Sequence, residues 1–305
     1  MSPCPVCLEG EGLHETCCRR LYGTPEEPTL GTSLAEVESL ALETVNRRLS
    51  VPGVQRKLSL SCLEEGRGRH RLTIVAALGG SHILKPPTSN YPGMPELEHW
   101  TMRLARRIGI SVAECGLIPL ASGEMAYVVR RFDREGMRRI AVEDFCQLAG
   151  QPTADKYRSS LERVGTLVRR WTSVPGREAL RFFEVALFSF LTGNSDMHLK
   201  NWSLVRDHGR VELSPAYDLL PTRILLEDPE ESALPIHGRK ARIEGCDFLA
   251  LAAHLRLPEK AARARMVEMP RHLAEALAVP SPWVMPAQAT RLRELVEAMT
   301  GRLRL

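Results

Sequence analysis

Two short stretches hold the residue types that chemistry needs. The first is Asn194-Ser-Asp-Met-His-Leu-Lys-Asn201, and the second is Ser214-Pro-Ala-Tyr-Asp218. Asp196 and Asn201 stand at the spacing D-x4-N. An acid and an amide so placed suit phosphoryl transfer: the acid takes the proton of an attacking hydroxyl, and the amide oxygen holds magnesium. Asp218 follows a short apolar stretch and a reversal, and offers a second hard oxygen ligand. Magnesium takes one or two carboxylates together with phosphate oxygens. His198 and Lys200 lie inside the first stretch as supporting residues. The plainer reading is a chance D-x4-N, with either acid serving only as a helix N-cap.

The element that must position this cluster is the run at residues 180–191, LRFFEVALFSFL. It is apolar nearly all round, so it reads as a helix buried in a core. Gly193 is placed to end it with a left-handed cap. Polar residues presented at the end of a rigid core element are well held for catalysis.

The 305 residues suffice for one large core or two modest ones, and 44% hydrophobic with 26% charged is ordinary for a globular protein. A net charge of +4 is too mild to argue for direct nucleic-acid binding. No apolar run reaches about 18 residues and no signal-peptide core is present, so no membrane partner and a cytoplasmic location are expected. Four of the eight cysteines lie in the first eighteen residues and four are scattered, which is no disulfide framework.

Residues 1–30 read as a short Cys/His element. Cys4-x2-Cys7 and His14-x2-Cys17 offer four ligands of the kind zinc takes, with Cys18 adjacent. Two pairs of reduced thiols that merely pack is the alternative. Residues 34–49 have helical periodicity. A Ser/Pro/Gly loop then leads from Ser50 through Lys57 into the alternating run 58–63, a strand–loop–strand pattern. Such a loop can bring backbone N–H groups against phosphate, although an ordinary hairpin turn has the same signature. Apolar segments 72–78 and 82–85 flank Gly79-Gly80-Ser81, which predicts a hairpin. Lys85 ends the second segment, as an edge residue or as a charge held for a ligand. Pro95 opens a helix that Gly109 closes, with Leu97, Thr101, Leu104 and Ile108 inward and Glu98 one residue off that stripe. A strand bearing Lys85 and a helix bearing Glu98 reproduce the lysine–glutamate pair of a kinase small lobe. Residues 124–132 form a further strand. Beyond residue 142 the pattern turns helical, which sets lobes at 31–142 and 143–305.

Taken in order, Ser50-Val-Pro-Gly-Val-Gln-Arg-Lys-Leu, His82-Ile-Leu-Lys85, Arg131-Phe-Asp-Arg134, Glu143-Asp-Phe-Cys-Gln, Lys156-Tyr157, Asn194-Ser-Asp-Met-His-Leu-Lys-Asn and Pro215-Ala-Tyr-Asp218 resemble the HipA-like serine/threonine kinase toxins. The resemblance covers about residues 45–300. Among them the chain looks most like HipT, the short kinase of three-gene HipBST systems. The resemblance implies a bilobed α+β, protein-kinase-like fold with an antiparallel-sheet N-lobe and a mostly helical C-lobe. It implies ATP and Mg2+ as cofactors, with Asp196 as catalytic base and Asn201 and Asp218 on the metal. Lys85 would hold phosphates, and Glu143 and Phe145 would meet adenine through their backbones. Val51, Gly53, Gln55 and Lys57 would belong to the nucleotide loop, with Glu98, His198 and Lys200 supporting. Ser50 matches the autophosphorylated serine of that loop. Pro52 stands where some HipT proteins carry a second serine, so a two-site scheme does not transfer. The implied partners are a HipB-like helix-turn-helix antitoxin, a HipS-like small subunit and an aminoacyl-tRNA synthetase as substrate, with DNA contacted chiefly through the antitoxin and growth arrest as the outcome. A small-molecule phosphotransferase shares the D-x4-N logic, and a catalytically silent co-repressor subunit is the rival from another class.

Overall fold

The computed structural model describes residues 2–46, 57–66, 68–75, 79–136, 138–226, 230–279 and 281–303. The chain divides into two compact units. The first takes residues 1–103, 113–137 and 281–285, and the second takes 104–112, 138–280 and 286–305.

The first unit is built on a five-stranded antiparallel sheet. Its strands are β1 (Leu58–Gly66), β2 (Arg69–Val75), β3 (His82–Lys85), β4 (Cys115–Pro119) and β5 (Met125–Arg130), in the order β2-β1-β3-β5-β4. Helices α1 (Glu15–Leu21) and α2 (Leu34–Asn46) precede the sheet, and α3 (Met94–Arg107) starts in this unit and ends in the second. Leu60, Leu72, Leu84 and Val128 of the sheet share one core with Val6, Leu21 and Val37. The N-terminal segment is therefore part of this unit's core.

The hairpin expected across Gly79-Gly80-Ser81 does not form. β2 pairs with β1, while β3 pairs with the opposite edge of β1 and with β5. Gly80 suits this arrangement. A Cβ there would stand 2.3 Å from Ser59 Oγ and 2.5 Å from the Leu60 carbonyl, so Gly80 lies in backbone contact with β1. Strand β4 was not foreseen, since Gly116 and Pro119 interrupt its apolar run. The expected 124–132 strand is β5, and the helix opened by Pro95 is α3.

The second unit is mostly helical. Its centre is α6 (Pro175–Thr192), with α4 (Phe145–Leu148), α5 (Leu161–Trp171), α7 (Thr222–Leu225), α8 (Gly245–His254), α9 (Glu259–Leu277) and α10 (Pro286–Arg302). Helices α5, α8, α9 and α10 all pack on α6. That explains its apolar circumference: Phe182, Phe183, Leu187, Phe188 and Leu191 are all fully buried. Pro175 sits in the first turn, and Gly193 takes φ +71° as the left-handed cap that the sequence predicts. A three-stranded antiparallel sheet, unannounced by the sequence pattern, lies beside the helices. It consists of β6 (Ala141–Asp144), β7 (Ser203–Asp207) and β8 (Arg210–Leu213), with β7 in the centre. Buried Glu178 of α6 fastens its edge, accepting from Leu213 N–H at 2.9 Å and from Arg181 at 2.7 Å. Among the described residues, no helix is long and apolar enough to cross a membrane.

Candidate active site

The cap of α6 sets the geometry of the polar cluster. Gly193 N–H donates to the Phe190 carbonyl and Asn194 N–H to the Ser189 carbonyl, closing the helix in a Schellman-type turn. The next residues leave the helix at a fixed angle. Asn194 is buried and ties both acids. Its Nδ2 donates to the Asp218 carbonyl at 3.0 Å, and its Oδ1 accepts from Asp196 N–H at 3.2 Å. Ser195 is held in turn, its N–H donating to Thr222 Oγ1 at 2.8 Å.

Asp196 is half-buried, and its Oδ1 accepts from the Tyr157 hydroxyl at 2.7 Å. Burial, followed by the Asp196 carboxylate, pushes the Tyr157 phenol well above its ordinary value, so it remains a donor at neutral pH. The ring of His198 meets that of Tyr157 edge-on, with centroids 5.1 Å apart. Burial lowers the His198 pKa, which keeps the ring neutral, and its buried Nδ1 has no hydrogen-bond partner among the described residues.

A 3-10 turn at Leu199–Asn201 carries the amide of D-x4-N. Asn201 Nδ2 donates to Asp218 Oδ2 at 3.3 Å, so the amide and the second acid come together. The Asn201 Oδ1 is buried without a hydrogen-bond partner among the described residues. An orphaned amide oxygen beside a carboxylate is a donor set that fits a hard cation such as magnesium. Asp218 itself has φ +58°, in the left-handed region that few non-glycine residues adopt. Asn194 fixes its backbone, and Tyr217 bonds the Lys200 carbonyl at 2.8 Å and Ser203 Oγ at 2.6 Å. Backbone strain held by such a frame clusters at functional sites.

The other expected residues fall as follows. Lys200 is paired with Asp144, Nζ to Oδ2 at 2.5 Å. Glu143 lies on β6 opposite Leu204, with an exposed side chain. Phe145 is buried, and its N–H donates to the Trp202 carbonyl at 3.1 Å. In the first unit, Lys85 ends β3 and pairs with Glu98 of α3 at 2.5 Å, the two side chains 5% and 0% exposed. Lys85 is thus a buried charge and not a solvated edge residue. Lys57 is half-buried just ahead of β1. Ser50, Val51, Gly53 and Gln55 lie outside the described residues. Cys4, Cys7, His14 and Cys17 converge, with their ligand atoms all within 4.8 Å of one another.

Two residues at the acids, Asn194 and Tyr157, and Asp144, which pairs with Lys200, had no assigned role in the sequence reading. Only Asp144 left a local signal. Asp144-x-x-Gln147 is a capping-box spacing, and both of its bonds form at the start of α4. Asn194 and Tyr157 act through contacts that no periodicity announces.

The cluster thus unites a half-buried carboxylate able to take a proton with a second carboxylate and an amide oxygen able to ligate a hard cation. Residues 49–277 match the family described as the HipA-like C-terminal domain. The chain is 32% identical over 273 residues to a Sinorhizobium fredii protein named "Putative kinase Y4mE", covering 85% of this chain and 63% of that one. It is 28% identical over 253 residues to the Shewanella oneidensis serine/threonine-protein kinase toxin HipA, covering 76% of this chain and 57% of that one. The chain therefore spans less than two thirds of the length of these relatives. Among solved structures, HipA from the Shewanella oneidensis complex of HipA, HipB and operator DNA matches with a TM-score of 0.66. That match has 24% identity and covers 86% of this chain and 70% of the other, so it speaks for the fold. The fold is that of HipA. The chain belongs to the HipA-like C-terminal domain family.

Proposed function

We propose that this chain is a toxin serine/threonine-protein kinase that transfers the ATP γ-phosphoryl group to a protein hydroxyl. The observation that carries the reading is the meeting of Asn201 with Asp218, five residues after the half-buried Asp196. The family's kinase-named relatives support the same chemistry. Magnesium-bound ATP, when held, supplies the transferable phosphoryl group and a charge that neutralises its oxygens. Asp196 accepts the proton of the substrate hydroxyl. Asp218 and the Asn201 amide oxygen would hold the metal. Lys85, oriented by Glu98, carries the positive charge that phosphates need in such sites. On the same reading Glu143 and Phe145 would meet adenine through their backbones, and Val51, Gly53, Gln55 and Lys57 would belong to the nucleotide loop.

The finer reading is a HipBST-type system in which the chain corresponds to HipT. We read residues 31–142 as the N-lobe, residues 143–305 as the C-lobe and residues 1–30 as the short Cys/His element. The substrate is an aminoacyl-tRNA synthetase, and Ser50 is the site of autophosphorylation. A HipB-like antitoxin and a HipS-like subunit are the partners, and DNA is reached through the antitoxin. The HipA–HipB–operator complex of the structural neighbour supports an antitoxin of that kind.

The test is incubation of the purified chain with magnesium-ATP and purified synthetases, read by mass spectrometry for phosphate on serine or threonine. Calorimetry with a magnesium-nucleotide analogue complements it. Asp218→Asn is expected to weaken nucleotide binding, because the metal loses a carboxylate ligand. Unchanged affinity would mean that the metal site lies elsewhere. Phosphate found on a sugar or antibiotic and on no protein would give the chain to the small-molecule phosphotransferases.

A further inference from the structure

The first eighteen residues contain a cluster that the kinase reading does not use. Cys4 and Cys7 sit on a tight turn, and His14 precedes α1, which carries Cys17. The three sulfurs belong to residues 0%, 9% and 2% exposed. None is in a disulfide. His14 Nδ1 lies 3.3 Å from Cys7 Sγ and 3.8 Å from Cys17 Sγ. With Zn–S near 2.3 Å and Zn–N near 2.0–2.1 Å, a tetrahedral site has S···N edges of about 3.6 Å and S···S edges of about 3.8 Å. The observed separations lie around those edges, and all four ligand atoms fall within 4.8 Å. Reduced thiols that only filled a core would have no reason to converge on one imidazole nitrogen. Gly10 packs closely against the other ring nitrogen, since a Cβ there would come 2.7 Å from His14 Nε2. Arg20 Nη2 approaches Cys17 Sγ at 4.0 Å, a cation beside the charge that three thiolates would bring.

The cluster is also docked. Leu117 N–H of edge strand β4 donates to the Pro5 carbonyl at 2.9 Å. Gly116 permits the approach, because a Cβ there would stand 2.8 Å from Leu21 and 3.0 Å from Val6. His82 Nε2 donates to the Leu21 carbonyl at 2.8 Å, and His99 Nε2 donates to the Val6 carbonyl at 3.0 Å. His82 lies three residues before Lys85 on β3, and His99 follows Glu98 on α3. The turn, through the Val6 carbonyl, and the end of α1, through the Leu21 carbonyl, therefore hold the two elements that carry the buried ion pair.

We propose that Cys4, Cys7, His14 and Cys17 bind one zinc ion, and that this ion clamps β3 and α3 so that Lys85 and Glu98 keep their register. The site has four protein ligands and no open position, as structural zinc sites do. Backbone hydrogen bonds link the turn and the end of α1 to His82 and His99, which neighbour the ion pair along β3 and α3.

The test uses the full chain, purified without chelator on a tag free of histidine. Elemental analysis is expected to find about one zinc per chain. Cys4→Ser and Cys17→Ser should lose the metal, while Cys62→Ser and Cys246→Ser should keep it. If the first two variants fail to fold, the wild type still decides. A mercurial thiol reagent should release one zinc to a chromogenic chelator, and cobalt substitution should give a tetrahedral thiolate spectrum. A folded, metal-free wild type would overturn the site, as would stoichiometric iron with an iron–sulfur spectrum. For the clamp, the readout is amide hydrogen exchange before and after zinc removal. Exchange should rise at 82–85 and 97–103 and stay unchanged in α9. A rise spread evenly over both units, or no rise, would overturn the clamp. None of these readouts depends on kinase activity.

Discussion

The Tyr157 hydroxyl reaches Asp196 Oδ1 at 2.7 Å and fixes the rotation of that carboxylate. A neutral hydrogen bond of this kind contributes about 0.5–1.5 kcal/mol. Tyr157→Phe is therefore expected to lower the transfer rate by roughly 2- to 10-fold while leaving nucleotide affinity alone. Steady-state kinetics separate the two; a loss of nucleotide affinity would place Tyr157 in a different role. Lys85 and Glu98 are a different case, because both are buried. Removing one partner of a buried pair costs about 3–5 kcal/mol, whereas replacing both with apolar residues of similar size is often neutral. Lys85→Ala should thus lower stability by about that amount, and the double variant Lys85→Met/Glu98→Leu should recover most of it. Neither should bind magnesium-ATP as the wild type does. A double variant that regained affinity would show that Lys85 serves packing alone.

At the scale of elements, buried His82 couples β3 to pH. Burial pushes its pKa down from 6.5 to about 4, outweighing its bond to the Leu21 carbonyl. Between those values the unfolded chain binds a proton that the folded chain refuses, so stability rises with pH across that window. It is fully present above about pH 6.5 and is lost as the pH falls toward 4, amounting to about 3 kcal/mol. His82→Gln cannot titrate, so its denaturation midpoints should fall less than those of the wild type over the same range. Parallel curves would contradict this. The same strand shows what the sequence could and could not convey. Helix α6 and its Gly193 cap were legible, because an unbroken apolar run before a glycine has one physical reading. So was the Asp196–Asn201–Asp218 set, through residue type and spacing. The partner of β3 was not legible, because Gly80 serves a close backbone contact with β1 as well as it serves a hairpin. The β6–β7–β8 sheet also escaped notice, since its short strands carry mixed polar patterns such as Arg-Val-Glu-Leu in β8. Tyr157 gains its role from a long-range contact, and Asn194 from one long-range and one local bond.

At the scale of the whole molecule, each unit keeps one charged constellation in a rigid frame. The first holds the Lys85–Glu98 pair between a strand and a helix. The second holds two acids and an amide at the end of its central helix. On the proposed kinase function each constellation would serve phosphoryl transfer, which rests on positioning and charge neutralisation more than on covalent chemistry. The most direct test compares the wild-type chain with Asp196→Asn, each given labelled magnesium-ATP and a purified aminoacyl-tRNA synthetase, with nucleotide affinity measured alongside. The account predicts label on a synthetase serine or threonine with the wild type. It predicts a loss on the order of 10²-fold or more for Asp196→Asn, at near-normal nucleotide affinity. Transfer by Asp196→Asn at the wild-type rate would contradict it.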